Sequence, residues 1–219
     1  MRILIITHAR SGATSLMSWI AFELGYKTLY HEPNLRDSKI YEKVIDEENV
    51  VVKIFPSDVG PIGIDVSKLA KTFDKIIFHT RNSIKDTSIS IVAGKQNNND
   101  SVESKWHETY EITDEWVIKN EQEINNTYDT VKFFIDKIND LVYLGGLKTT
   151  YENIYETKSD ISELCSFLDI KDPVYLDILD NRRKLKNGTI GMKDLYKLNK
   201  EIQIKNDDFE IVLKKRKLI

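Results

Sequence analysis

Residues 2–15 read RILIITHARSGATS, and the way this stretch divides decides the fold. Arg2–Thr7 is a β-branched apolar run without polar alternation, which suits a strand buried on both faces of a parallel sheet. From Ser15 onward, Leu16, Trp19, Ile20, Phe22 and Leu24 fall at helical spacing and Gly25 offers a stop. The loop between them has a single glycine, Gly12, which lets the backbone turn tightly. Strand, short loop and helix place the N–H groups of Thr14, Ser15 and Leu16 at a helix start, where an anion is stabilised. Arg10 adds a charged fork, and the hydroxyls of Ser11, Thr14 and Ser15 add donors. Taken alone, the segment reads equally well as a helix start capped by Thr14 or Ser15.

Outward from this unit the pattern repeats. VVVKIF (50–55) and KIIFHT (75–80) carry the same buried-strand signature, with a short helix expected around 66–73 and Arg81 directly after the third strand. Helical periodicity resumes near Ile84, and GKQNNND (94–100) reads as a mobile loop. A longer helix is expected over 114–139, with Trp116, Val117, Ile124, Tyr128, Val131, Phe134, Ile135 and Ile138 as its apolar positions. LKTTYE (147–152) reads as a strand and 160–168 as a helix. Strands alternating with helices predict an α/β fold, a three-layer sandwich with a central parallel β-sheet flanked by helices. Without repeats or a long linker, residues 1–219 read as a single domain, in which the charged stretch 180–219 is a flap or a tail.

The bulk numbers set limits. A chain of 219 residues, 41% hydrophobic, can bury one sizeable core. A net charge of −3 argues against a general nucleic-acid-binding surface, so any anion site is local. Cys165 is the only cysteine, which excludes an intrachain disulfide and a CxxC metal cluster and fits a reducing, cytoplasmic compartment. Ile3–Ile6 is far too short for a membrane span, and no leader pattern precedes it. Nothing in the pattern selects an oligomeric state. A Walker-type nucleotide loop needs GxxxxGK[ST]; its Gly-Lys pair is absent, which weakens a nucleotide-kinase reading without removing it.

The strand, RSGATS (Arg10–Ser15) and the helix together resemble the 5′-phosphosulfate-binding loop of sulfotransferases that use 3′-phosphoadenosine 5′-phosphosulfate (PAPS). In that loop a Lys or Arg precedes Ser-Gly-(Thr/Ser/Ala)-Thr. FHTRNSIKDTSIS (78–90) resembles the family's second motif, a strand-end Arg and a helical Ser that hold the 3′-phosphate. Arg81 matches. The usual serine position is occupied by Ile89, leaving Ser88 and Ser90 as rivals; one extra residue in the turn selects Ser90. LKTTYENIYETKSDISELCSFLDI (147–170) is similar to the late strand and helix of the family, with Tyr151 and Glu152 as supports for the loops. NRRKLKNG (181–188) resembles an Arg-Lys…Gly segment that closes over the 3′-phosphate, and reads otherwise as a solvated basic stretch. The resemblance implies a P-loop NTPase-like sulfotransferase fold with PAPS as cofactor, the nucleotide 3′-phosphoadenosine 5′-phosphate (PAP) as product, and no metal. It assigns nucleotide binding to Arg10, Ser11, Gly12, Ala13, Thr14, Ser15, Arg81, Ser88 or Ser90, Arg183 and Lys184.

Sulfonate transfer needs a base for the acceptor proton, cations on the bridging oxygen and in-line geometry. Many cytosolic members take the base from a Lys-Thr-His-Leu-Pro segment, but the matching stretch here is VKIFPSD, with Phe55 near the place of the histidine. Other branches use a glutamate after the first helix, and Glu32 in YHEPN matches it. Pro33 is expected to hold Glu32 extended. His31 is the alternative base. Lys53 is assigned charge stabilisation jointly with Arg10, against the plainer reading of a strand lysine reaching solvent. His8 and His107 match no motif and read as packing or surface residues. Trp106, Tyr110, Trp116 and Phe133 read as core before acceptor platform. The sequence leaves the hydroxyl or amine acceptor open among sugar, glycolipid, phenol, small amine and protein tyrosine; a small-molecule or carbohydrate acceptor is expected, with a glutamate base favouring carbohydrate or lipid-linked sugar. Two alternatives stand beside this reading, a P-loop-type nucleotide kinase and a non-catalytic nucleotide-binding relative.

Overall fold

The β-branched runs pair with one another because none has a polar face to give to water. In the computed structural model, which describes residues 1–57, 65–100, 112–173, 176 and 203–204, six strands form one sheet. They are β1 (Arg2–Thr7), β2 (Thr28–His31), β3 (Val50–Ile54), β4 (Lys75–Thr80), β5 (Leu147–Thr150) and β6 (Gln203–Ile204). Their order is β5-β4-β1-β3-β2-β6, and every pairing is parallel.

Parallel neighbours need crossovers, and the helices supply them on both faces. These are α1 (Ala13–Glu23), α2 (Ser38–Asp46), α3 (Val66–Ala70), α4 (Ile84–Asp100), α5 (Asp114–Lys119), α6 (Glu121–Asp140) and α7 (Ile161–Phe167). Alternation along β1 splits the core in two. Ile3 and Ile5 pack with Leu16, Trp19 and Ile20 of α1 and Leu164 of α7, while Leu4 and Ile6 pack with Val44 of α2, Leu69 of α3 and Ile138 of α6. The result is a three-layer α/β sandwich. Among the described residues no helix is long and apolar enough to cross a membrane, and no three His, Cys, Asp or Glu side chains gather as a metal site.

Several elements depart from the sequence reading. The stretch 94–100 is the end of α4, not a loop; α4 lies along α6, and the Gln96 amide donates to Asn120 Oδ1. The expected helix over 114–139 is interrupted at Asn120, whose side chain donates to Trp116 O at 2.8 Å and competes with the helical ladder. β5 stops at Thr150, and the chain turns through Tyr151 into a π-helical turn at Glu152–Glu156. Helix α3 ends at Ala70, three residues before the expected boundary. Phe133 is 55% exposed and Trp116 half-buried, so neither is a core residue. Trp106, Tyr110, His107 and nearly all of 180–219 lie outside the described residues; the exception, β6, pairs with Thr28 and Leu29 of β2. Strand β2 and helix α2 were not anticipated, although α2 carries a signal: Asp37 accepts from Lys39 N at 2.9 Å ahead of Ile40, Tyr41, Val44 and Ile45 at helical spacing.

Gly146, just before β5, has φ +156, and a Cβ there would stand 2.5 Å from Ile76 O. Gly146→Ala is therefore expected to cost about 1–3 kcal/mol by overpacking, read as a lower urea midpoint at unchanged m. Gly145→Ala, with open space around its Cβ but φ +77, should cost only the milder backbone penalty of about 1 kcal/mol.

Candidate functional site

Parallel strands deliver their carboxyl ends to one edge of the sheet, the usual ligand crevice of open α/β folds. Here β1, β2, β3 and β4 bring His8–Gly12, His31, Lys53 and Arg81 to that edge, facing the start of α1. The loop after β1 reaches α1 through two left-handed residues, Arg10 at φ 62 and Gly12 at φ 92. The second suits glycine; the first is a strained non-glycine position of the kind that clusters at ligand sites.

Inside the loop, the Ser11 hydroxyl is buried, 2.6 Å from Thr7 Oγ1 and accepting from Ala13 N at 3.3 Å, so it shapes the turn from within. The amides of Ser15 and Leu16 donate to Gly12 O at 3.1 and 3.4 Å. These two amides are thus spent on the first helical turn, contrary to the expectation that they serve an anion at the helix start.

Lys53 gathers the second part of the site. It does not reach solvent: the residue is 5% exposed, with Nζ 3.2 Å from Thr14 Oγ1, 3.2 Å from His31 Nε2 and ion-paired with Glu32 Oε1. An ammonium can only donate, so His31 Nε2 is the acceptor there and the neutral ring carries its proton on Nδ1. His31 Nε2 also lies 3.0 Å from Thr14 Oγ1 and 3.7 Å from the Glu32 carboxylate. Glu32 is held twice by one residue, since its backbone N–H donates to Lys53 O at 2.9 Å. Its φ is +54, left-handed where Pro33 was expected to impose an extended backbone. The ladder bond to Lys53 and the ion pair hold this strained geometry in place. Burial by itself raises the Glu32 carboxyl, but the charge and hydrogen bond of the Lys53 ammonium, together with the His31 ring when it is protonated, outweigh it and leave the group below the ordinary carboxylate range. Phe55 sets its ring 5.0 Å from the Lys53 ammonium.

A third group lies along β4 and α4. Arg10 Nε donates to Ser90 Oγ at 2.8 Å, joining the loop to a residue 80 positions away. Ser88 is fully buried and donates to Ile84 O within its own helix at 2.8 Å, so Ser90 is the serine brought to the loop. Arg81 stacks over Tyr151 at 4.5 Å, and its Nε is buried without a hydrogen-bond partner among the described residues. Glu152 accepts from the amides of Asn82 and Ser83 at 3.0 and 3.2 Å, fixing the turn that follows Arg81. Arg183 and Lys184 lie outside the described residues.

Two residues of the site were not singled out from the sequence. His79 donates from Nε2 to Ser11 O at 3.0 Å, and Tyr155 donates to Gly12 O at 2.8 Å. Both sit inside motifs already recognised, at the inward-facing positions of a buried strand and turn where an apolar side chain is usual; a polar residue there was the available signal.

No protein-family profile matches this chain, and no curated protein sequence does. Among solved structures, mouse sulfotransferase SULT7A1 complexed with PAP aligns with a TM-score of 0.48 and 17% identity, over 82% of this chain and 63% of that one. The YorR protein of Bacillus subtilis, in complex with phosphorylated GDP, aligns with a TM-score of 0.37 and 13% identity, over 77% of this chain and 95% of that one. The present chain therefore spans under two thirds of the mouse enzyme, and the likeness concerns the path of the chain and assigns no residue a role.

His8 makes the site sensitive to acid. It is buried, donates from Nδ1 to Ala9 O at 3.0 Å and accepts the Arg81 N–H on Nε2 at 3.1 Å. Burial, with the charges of Arg81 and Lys53, lowers its pKa from 6.5 to about 4. Because the folded value lies below the unfolded one, between these limits the unfolded chain takes up a proton that the folded chain refuses. Stability accordingly falls with pH across that window, by on the order of 3 kcal/mol in all. His8→Gln should flatten this part of the stability-against-pH curve in urea titrations; an unchanged slope would place the acid sensitivity elsewhere.

Proposed function

We propose that the chain transfers the sulfonate group of PAPS to a hydroxyl or amine acceptor, a carbohydrate in the first instance, and releases PAP. In this reaction the bond from sulfur to the bridging phosphate oxygen breaks, a bond from sulfur to the acceptor atom forms, and the acceptor proton passes to Glu32.

One observation carries this reading: the buried ammonium of Lys53 lies between the loop hydroxyl of Thr14 and the carboxylate of Glu32. A cation so poor in water depends on its hydrogen-bond acceptors and above all on a negative partner. A phosphosulfate oxygen at the loop offers it another, and turning toward that oxygen releases Glu32 at the point where an acceptor would lose its proton. Arg10, Ser90 and Arg81 form the matching cradle for the 3′-phosphate, with the unpartnered Arg81 Nε as an available donor. Gly12, Ala13, Thr14 and Ser15 open the helix beside the 5′-phosphosulfate, while Ser11 keeps the loop in shape. His31 is the second proton acceptor within reach.

Thermal unfolding tests the cofactor. PAP at about 100 times its dissociation constant adds roughly 2.7 kcal/mol, a rise in midpoint of about 5–10 °C for a chain of this size, with little change from AMP. A rise only with ATP-Mg2+ would instead make the protein a kinase, and no rise with any of them would leave it without a nucleotide site.

The role of Glu32 has its own test, once a panel of sugars, phenols and amines has yielded an acceptor. Glu32→Gln should lower turnover by about 10²–10⁴-fold while keeping the PAP-induced rise. Because Lys53 holds the carboxyl low, kcat/KM should stay level through neutral pH and fall only below the ordinary carboxylate range. Lys53→Met should move that acid limb upward. Full turnover in Glu32→Gln would pass the proton to His31.

A further inference from the structure

We propose that His79 and Tyr155 are positioning residues that fix the backbone amides of the loop for a tetrahedral oxyanion, a role that rests on the reading of this loop as the 5′-phosphate site. Across a trans peptide, the carbonyl of one residue and the N–H of the next point in opposite directions. Two loop carbonyls are tethered: Ser11 O by His79 Nε2, and Gly12 O by the Tyr155 hydroxyl together with the Ser15 and Leu16 amides. The Ala13 N–H opposite Gly12 O is spent on Ser11 Oγ, so Tyr155 holds the turn in which His79 sets the Gly12 amide. A third, Ala9 O, is held by His8 Nδ1. The Gly12 N–H therefore points opposite to the Ser11 carbonyl, and the Arg10 N–H opposite to that of Ala9. Together with positive φ at Arg10 and Gly12, this arrangement forms a backbone nest, a concavity suited to an anion.

The tethers are specific. A carbonyl can only accept, so His79 must carry its proton on Nε2, and Nδ1 is left to accept from the buried Thr149 hydroxyl at 2.8 Å. The Ser11 carbonyl thus selects the tautomer, and the Thr149 hydroxyl, able to donate or accept, complements it. The His79 ring meets Tyr155 edge-on at 6.4 Å, Tyr155 lies 4.9 Å from Tyr151, and Tyr151 supports the Arg81 guanidinium. One packed column thus runs beneath both the loop and Arg81, with the His79 and Tyr155 hydrogen bonds directed to the loop and the Tyr151 ring to the guanidinium.

Comparing PAP with 3′-AMP, which lacks the 5′-phosphate, tests the assignment by calorimetric titration. Tyr155→Phe removes one oxygen and keeps the ring; it should weaken PAP about tenfold, the value of one well-placed hydrogen bond, and leave 3′-AMP within about twofold. His79→Phe should do the same, and His79→Gln, which keeps an N–H donor, should recover most of the loss. If His79→Phe does not fold, Tyr155→Phe and His79→Gln decide the matter. Equal weakening of both nucleotides would indicate a general structural role and overturn the proposal, as would variants that keep the preference for PAP. A wild-type protein that binds PAP no better than 3′-AMP would remove the 5′-phosphate reading and this proposal together.

Discussion

A strand with no polar face must be covered on both sides, and the burial of β1 organises the molecule around that requirement. Ile3–Ile6 are wholly inaccessible, so helices must occupy both faces of the sheet, and the chain can return only through parallel crossovers. Parallel crossovers in turn bring the carboxyl ends of β1–β4 to one edge. The loop, Glu32, Lys53 and Arg81 come from distant parts of the sequence, yet none needs a special device to reach the others.

Within that edge, electrostatics decides what the side chains do. Removing the Lys53 ammonium from water is unfavourable, and its contacts to Glu32, His31 and Thr14 offset that cost. The same contacts keep Glu32 ionised and its backbone in a left-handed geometry costing on the order of 1–3 kcal/mol. Arg10 shows a parallel case: a strained backbone compensated by a side chain that reaches Ser90. Two of the five left-handed non-glycine residues among the described residues, Arg10 and Glu32, thus flank the crevice, one beside the loop and one beside β2.

The sequence was informative wherever periodicity speaks for burial. β1, β3, β4 and the body of α1 follow directly from apolar spacing, as does the three-layer architecture. It was less informative where tertiary contacts override local preference. GKQNNND looks like a loop by composition, but packing of α4 on α6 carries the helix through it. β2 is too short to show a pattern, and the break at Asn120 depends on hydrogen bonds that spacing does not encode. For the site, Arg10, Glu32, Lys53 and Arg81 could be named from motifs. Ser90 could be separated from Ser88 only by seeing which hydroxyl turns back into its own helix, and Pro33 gave the wrong backbone for Glu32 because the bond to Lys53 prevails. His79 and Tyr155 were hidden because a polar side chain facing inward looks, in sequence, like any other strand residue.

The bond from Tyr155 to Gly12 spans 143 positions and has a consequence for the birth of the protein. At about 5–20 residues per second, a ribosome takes on the order of ten seconds or more to travel from the loop to its tether. During that interval the first strand and helix exist as a nascent chain without the column that shapes the turn between them. The glycine loop, though made almost first, acquires its tether only after about two thirds of the chain has been synthesised.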